Sequence, residues 1–376
     1  METALTNATV FTGNEIITGK AVLIKDGKIE SLVHNESIPD GSNIINCKNN
    51  FIAPGLIDLH IAGGGGYLFS ANPTAEALRA ITDSIVKSGT TEFLIAIPTN
   101  SFETYSKVIG VLKANPHPSV MGLHIEGPYI NPARRGAHIK EFIKPPLKTE
   151  IESLLIEAGG VIKMITLAPE LCNPDIIRLL RDNNIIVSAG HSNATFEEAV
   201  NGFKWGVQAT THLFNGMSQL HHRDPGLPGA TLLTENIFAA IIADGIHVNY
   251  NTISIAKRLM KERLFLVTDA VEENLTGTYL HVRRKDRFTL PDGTLSGSLL
   301  TMLKAVRNCV QYINIPPDEA LRMASTYPAS LINASDSGKI AKGYKANLIE
   351  FNKDFEVQRV FVGGDVKFPG IFKNIF

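Results

Sequence analysis

A chain of 376 residues is too long for one small core and suits a barrel of about 250 residues with a smaller domain beside it. Its 36 Lys and Arg nearly balance 37 Asp and Glu, so no global field recruits nucleic acid, and any anionic ligand must be held by local charges. Cys47, Cys172 and Cys309 form no CxxC pair, no basic-then-apolar leader opens the sequence, and no apolar run reaches about 18 residues; these features argue against a disulfide framework and a membrane span, and a soluble, cytoplasmic protein with reduced thiols is expected.

In chain order, residues 1–53 alternate apolar and polar positions, with Asp26-Gly27 supplying a hairpin turn between two strands. Residues 341–376 carry the same texture, with turn residues at Asn352 to Asp354 and Gly363-Gly364, so the two ends are expected to form one β-sandwich. Between them, over 54–340, short apolar runs alternate with helical patterns such as AEALRAITDSIVKSG, DIIRLLRDNN, TFEEAVNGFKWG, NTISIAKRLMKER and LTMLKAVRNCVQYI. That βαβα rhythm belongs to a parallel sheet, and Gly89, Asn184 and Gly206 close three of the helices. An open doubly wound sheet has a similar rhythm. The (β/α)8 TIM-like barrel is preferred because the reactive residues come from five or more successive strand ends, and only closure brings that many to one point.

Those reactive residues end the apolar runs FIAPGLIDLH, VMGLHIEGP, VSAGHSNA, TTHLFNG, FAAIIADGIH and LFLVTDA, which deliver His60, Glu126, His191, His212, His247 and Asp269. A catalytic divalent metal takes three protein ligands and keeps a place for water, a count that Glu126, His191 and His212 meet. A single strand-end His is more often structural; three such groups in register reverse that reading. Asp269 fits a general base beside an activated water, against the plainer alternative of a helix cap. His221 and His222 read as exposed loop residues, and the glycine run at 63–66 as a loop device rather than a phosphate cradle.

The ordered motifs GLHIEGPYINPARRGAH, LAPE, SAGHSNAT, THLFNGM, DPGLPGA, ADGIHV, LVTDA and LSGS closely resemble the N-acetylglucosamine-6-phosphate deacetylases of the amidohydrolase superfamily. The resemblance implies a barrel plus β-sandwich, and hydrolysis of N-acetyl-D-glucosamine 6-phosphate to D-glucosamine 6-phosphate and acetate. It also implies metal ligation by Glu126, His191 and His212, acid–base work by Asp269, and polarisation of the acetamide carbonyl by His138. Ala137, His138, Asn215, Gly216, Arg223, His247, Leu295, Ser296 and Gly297 align with positions that look like substrate contacts. For the phosphate, Arg223 offers a bidentate fork and Asn215-Gly216 backbone N–H groups. A homodimer is implied too, because in this family the phosphate site can borrow residues from a second subunit.

Three departures stand out. Two-metal members of the superfamily carry HxH on the first strand, whereas here the pair is His60 and Ala62, so one divalent metal per subunit is expected. Zinc is placed first, with iron, cobalt or manganese open to the same donors. The stretch between Asp269 and Leu295 is shorter than in some relatives, and Gly216 stands where Ala is often found. The alternatives are a single-metal amidohydrolase acting on another N-acylated sugar or a cyclic amide, and a non-catalytic barrel scaffold.

Overall fold

The computed structural model describes residues 2–368 and Gly370; Met1, Pro369 and 371–376, the last of which end the expected C-terminal segment, lie outside the described residues. The chain divides into two compact units: Met1–Asp58, Asp83–Glu92 and Thr301–Phe376 form one, and Leu59–Thr82 with Phe93–Leu300 the other.

In the first unit, Thr3–Thr6, Lys20–Lys25, Lys28–His34 and Asn43–Asn46 make a four-stranded sheet. The turn at Asp26 (φ 49°) and Gly27 (φ 75°) has the positive angles of the tight hairpin that Asp-Gly favours. A six-stranded sheet joins the two ends of the chain: Leu348–Phe351 pairs antiparallel with Phe51–Pro54, in the register Leu348 to Pro54 and Phe351 to Phe51. Leu5, Val22, Ile24 and Ile29 from one sheet pack with Val10, Ile52, Leu348 and Phe361 from the other. Alternation along each strand sends one apolar face inward, so neither terminus alone supplies the whole sandwich core.

Eight parallel strands run in chain order: β1 (Leu56–Ile61), β2 (Thr90–Pro98), β3 (Val120–Glu126), β4 (Ile162–Leu167), β5 (Ile186–Ala189), β6 (Ala209–Thr210), β7 (Phe238–Ile241) and β8 (Leu264–Leu266). The circle closes through a parallel bridge between Ile61 and Ala270. Every residue of β1 is buried, Asp58 and His60 included, as befits a strand covered on both faces. Helices return the chain between strands. Pro174–Asp182 begins on Asn173, whose side chain accepts from the Asp175 N–H, and Phe196–Trp205 begins on a capping box of Thr195 and Glu198. The expected stops hold positive φ at Gly89 (99°), Asn184 (59°) and Gly206 (124°).

Beyond β8 the chain folds into a small antiparallel sheet, Val282–Arg283, Arg287–Thr289 and Leu295–Ser298. Phe288, Tyr279, Val271, Leu68 and Ala62 give this region a core of its own. The glycine run at 63–66 is the turn of a short hairpin, Gly63–Gly64 pairing with Tyr67–Leu68. Among the described residues no helix is long and apolar enough to cross a membrane, and the three cysteines are buried and form no disulfide.

Candidate active site

The ligand candidates stand where barrel strands end. Glu126 closes β3, His191 and His212 follow β5 and β6, and Asp269 follows β8. Backbone geometry turns three of them inward: His191 (φ 47°), His212 (φ 33°) and Asp269 (φ 52°) all occupy the left-handed region, where few non-glycine residues sit.

Glu126 Oε1 lies 3.2 Å from His191 Nε2 and 2.9 Å from His212 Nε2, and the two ring nitrogens are 3.2 Å apart. The three ligating atoms fall within 4.8 Å of one another. His191 Nδ1 is 2.8 Å from the Arg134 carbonyl and His212 Nδ1 is 3.1 Å from the Asn215 carbonyl, so each ring donates from Nδ1 and keeps its Nε2 lone pair for a cation. Burial pushes the Glu126 carboxyl up, but the charges of neighbouring His60 and His138, with a hydrogen bond from His138, hold it well below the usual carboxylate range. An anionic carboxylate with two oriented imidazoles fits a divalent cation as a donor set.

The LAPE motif holds this arrangement in place. Glu170 accepts from Asn131 Nδ2 (3.0 Å), Ser192 Oγ (2.7 Å) and the Asn193 N–H (2.7 Å), tying the loop that carries His191 to the loop after β3. Beneath the ligands, buried His124 bonds Thr166 Oγ1 at 2.7 Å, and Thr166 bonds Thr211 at the same distance. Burial, with the charge of nearby His60, lowers His124 to about 3, so it is a neutral member of that network.

His138 sits opposite, its Nε2 3.4 Å from Glu126 Oε2. The Thr99 N–H donates to His138 Nδ1 at 3.2 Å, and the Thr99 hydroxyl lies 2.7 Å from the same nitrogen. The accepting role of Nδ1 places the ring proton on Nε2, facing the cavity. Burial and the charge of His191 lower the His138 pKa, which keeps the ring a neutral donor. Gly127 is required here: with φ 90°, a Cβ at this position would collide with Thr99 Oγ1. His60 Nε2 is 3.4 Å from both Glu126 Oε2 and Asp269 Oδ1, and so spans the two carboxylates.

A cavity of about 240 Å³ gathers His60, Glu126, Ala137, His138, His191, His212, Asn215, Gly216, His247, Asp269, Leu295, Ser296 and Gly297. Of the residues expected from the sequence, Arg223 alone is not in its wall; it is exposed, with Nη1 3.0 Å from His222 Nε2. Sequence reasoning missed several groups. Asp244 Oδ2 bonds His247 Nδ1 at 2.6 Å, and its other oxygen accepts from the Ile246 and His247 N–H groups. Burial alone would raise the Asp244 pKa, yet these bonds hold it below the usual value. The signal was present in ADGIHV, three residues before the histidine. Thr99 directly follows β2, where the apolar run FLIAIP ends in a polar residue as at the other strand ends, whereas Tyr279 and His281 come from a segment with no such run and nothing in the local pattern marked them.

Residues 51–367 match the Amidohydrolase family model and residues 3–48 the NagA composite domain. The chain is 33% identical to N-acetylglucosamine-6-phosphate deacetylase of Haemophilus influenzae, over 98% of this chain and 100% of that one. The crystal structure of N-acetylglucosamine-6-phosphate deacetylase from Pasteurella multocida superposes with a TM-score of 0.94 at 33% identity, covering 97% of this chain and 99% of that one. A mutant of the Mycobacterium smegmatis deacetylase, solved in complex with N-acetyl-D-glucosamine-6-phosphate, superposes with a TM-score of 0.89 at 25% identity, covering 97% and 99%. With strand-end ligand candidates, a closed barrel and near-complete coverage in agreement, the chain belongs to the amidohydrolase family and, within it, to the N-acetylglucosamine-6-phosphate deacetylases.

Proposed function

We propose that the protein hydrolyses the acetamide of N-acetyl-D-glucosamine 6-phosphate, releasing D-glucosamine 6-phosphate and acetate. The observation that carries this reading is the meeting of Glu126, His191, His212, His138 and Asp269 in one cavity of a chain related to such deacetylases along its whole length. The functional division we propose is a hydrolase body of residues 54–340 flanked by sandwich segments 1–53 and 341–376.

A divalent cation held by Glu126, His191 and His212 supplies, when bound, the Lewis acidity that makes hydroxide available at neutral pH. Zinc is our first choice, and iron, cobalt or manganese satisfy the same donors. Asp269 takes the proton of the attacking water and returns it to the departing amine, which leaves poorly as an amide anion. His138 donates a hydrogen bond from its Nε2–H to the acetamide oxygen as charge gathers there. His60 steadies Asp269. The Gly216 backbone is our candidate for the phosphate, since the Asn215 N–H expected beside it is already given to the His212 carbonyl at 2.9 Å, and the Ala137 loop, His247 and the Leu295-Ser296-Gly297 turn hold the sugar.

The test is acetate release from N-acetylglucosamine 6-phosphate, before and after chelation, with metal per chain measured on the same sample. Chelator-sensitive release with about one metal per chain supports the reading. No release from metal-loaded protein overturns it.

Two further outcomes are expected. Glu170→Ala is expected to weaken metal retention by the ~10–100-fold typical of lost outer-shell partners, read by competition with a chromogenic chelator; unchanged affinity would mean that the His191 loop keeps its place without the carboxylate. Arg223, exposed and outside the cavity wall, is assigned to the phosphate of a partner copy in a homodimer. Arg223→Ala should then raise KM for the phosphorylated substrate but not for N-acetylglucosamine. Mixing that variant with Asp269→Asn chains should regenerate activity, because each mixed dimer contains one site with both groups intact. A mixture no more active than its parts would refute the shared site.

A further inference from the structure

We propose that His281, paired with Ser296, reads the 3- or 4-hydroxyl of the sugar ring and so determines substrate specificity, an assignment that rests on the deacetylase reading above. His281 is 4% exposed and lines the cavity. Its Nδ1 is 2.9 Å from Ser296 Oγ, and Nε2 has no hydrogen-bond partner among the described residues.

The ring is held from several sides. Its plane runs parallel to Tyr279 (9°, centroids 6.3 Å apart), and Phe288 meets it edge-on at 82°. Its backbone exchanges two hydrogen bonds with Asn274, His281 N–H to the Asn274 carbonyl at 2.8 Å and the reverse at 3.0 Å. Tyr279 is fixed in turn by its hydroxyl, which donates to the Thr99 carbonyl at 2.5 Å. A side chain placed on paired backbone and clamped by aromatic rings is pre-organised for recognition.

Burial lowers the imidazole to about 4, so the ring is neutral at working pH and carries one N–H and one lone pair. If Ser296 donates to Nδ1, the pair turns an Nε2–H donor and an Oγ lone pair toward the cavity. If Nδ1–H donates to Ser296, it turns an Nε2 lone pair and a hydroxyl proton. Either tautomer presents one donor and one acceptor. Two neutral groups of the substrate can use both at once, the acetamide and a hydroxyl; the acetamide is assigned above to His138 and Asp269, which leaves a hydroxyl, the repeating substituent of a pyranose. A phosphate, which only accepts when fully ionised, and a methyl group satisfy neither arrangement.

The experiment compares wild type, His281→Phe and His281→Asn on N-acetylglucosamine 6-phosphate and on its 3-deoxy and 4-deoxy analogues, with metal content and melting temperature checked for each protein. His281→Phe should lower kcat/KM for the parent sugar by roughly 10- to 100-fold, the scale of one hydrogen bond lost in a buried site. On one of the two deoxy analogues the wild type and this variant should agree within about threefold, because the wild-type pair is then equally unsatisfied. His281→Asn, which still donates and accepts, should recover part of the loss on the parent. Should His281→Phe fail to fold, His281→Leu carries the same comparison. Equal losses on all three substrates, or no loss on the parent, overturn the assignment while leaving the deacetylase reading intact. Failure of the wild type to release acetate from the parent overturns both.

Discussion

Asp269→Asn should retain its metal and lose at least ~10²–10⁴-fold in kcat, the range typical of a residue that moves a proton in the transition state. Asparagine keeps the shape of the side chain and one oxygen to face His60 Nε2, which lies 3.4 Å from the Asp269 carboxylate. The ligating atoms of Glu126, His191 and His212 form a separate group, so metal stoichiometry has no reason to fall. What asparagine lacks is a site that accepts a proton from water and gives it to a leaving amine. KM should change far less than kcat, because the lost interaction belongs to the reacting state rather than to substrate binding. A turnover number near that of the wild type would remove Asp269 from the proton path, and a loss of metal would mean that the carboxylate serves the ligand set instead.

His191→Ala should lose the bound metal and, with it, the activity. His191 Nε2 and His212 Nε2 approach Glu126 Oε1 from two sides, and deleting one imidazole leaves two protein donors where a catalytic site needs three. Stability gives an independent readout. A ligand that binds only the folded state at 100 times its Kd adds about 2.7 kcal/mol, which the wild type should show as a rise in Tm when metal is added. His191→Ala should show little of that rise at the same concentration. A variant that kept about one metal per chain after dialysis would refute the assignment of His191 as a ligand.

The barrel was legible because strands covered on both faces leave unbroken apolar runs, and because a reactive side chain at the end of such a run has few structural reasons to be there. The sandwich was legible for a different reason: Asp26-Gly27 and Gly363-Gly364 are turns that alternating strands require, and both hold positive φ in the structure. Strand β6, with only two residues, was found through the chemistry that follows it rather than through its own pattern. His281 was not found at all. It enters the cavity from a small sheet whose strands Val282–Arg283 and Arg287–Thr289 are too short to show periodicity, and its neighbours Tyr279 and Phe288 are brought to it by tertiary packing. Asp244 was passed over because an aspartate beside a glycine reads as a turn, although it orients His247. Arg223 shows a further limit: local pattern supplies a fork for an anion but carries no information about which cavity, in which copy of the chain, that fork serves.

The left-handed backbone at His191, His212 and Asp269 sets stability against activity within the same residues. Each such conformation costs on the order of 1–3 kcal/mol for a residue with a Cβ, and glycine would release much of that cost at any of the three. At buried His191 and His212 the lost ring and its hydrogen bond offset that gain, whereas the Asp269 side chain is 20% exposed, so a library of variants selected only for survival on heating in chelator should enrich glycine first at Asp269, whose side chain the proposed chemistry needs. The hardiest clones would be inert, and an engineer seeking a tougher enzyme should hold these three positions fixed and look for gains in the sandwich instead.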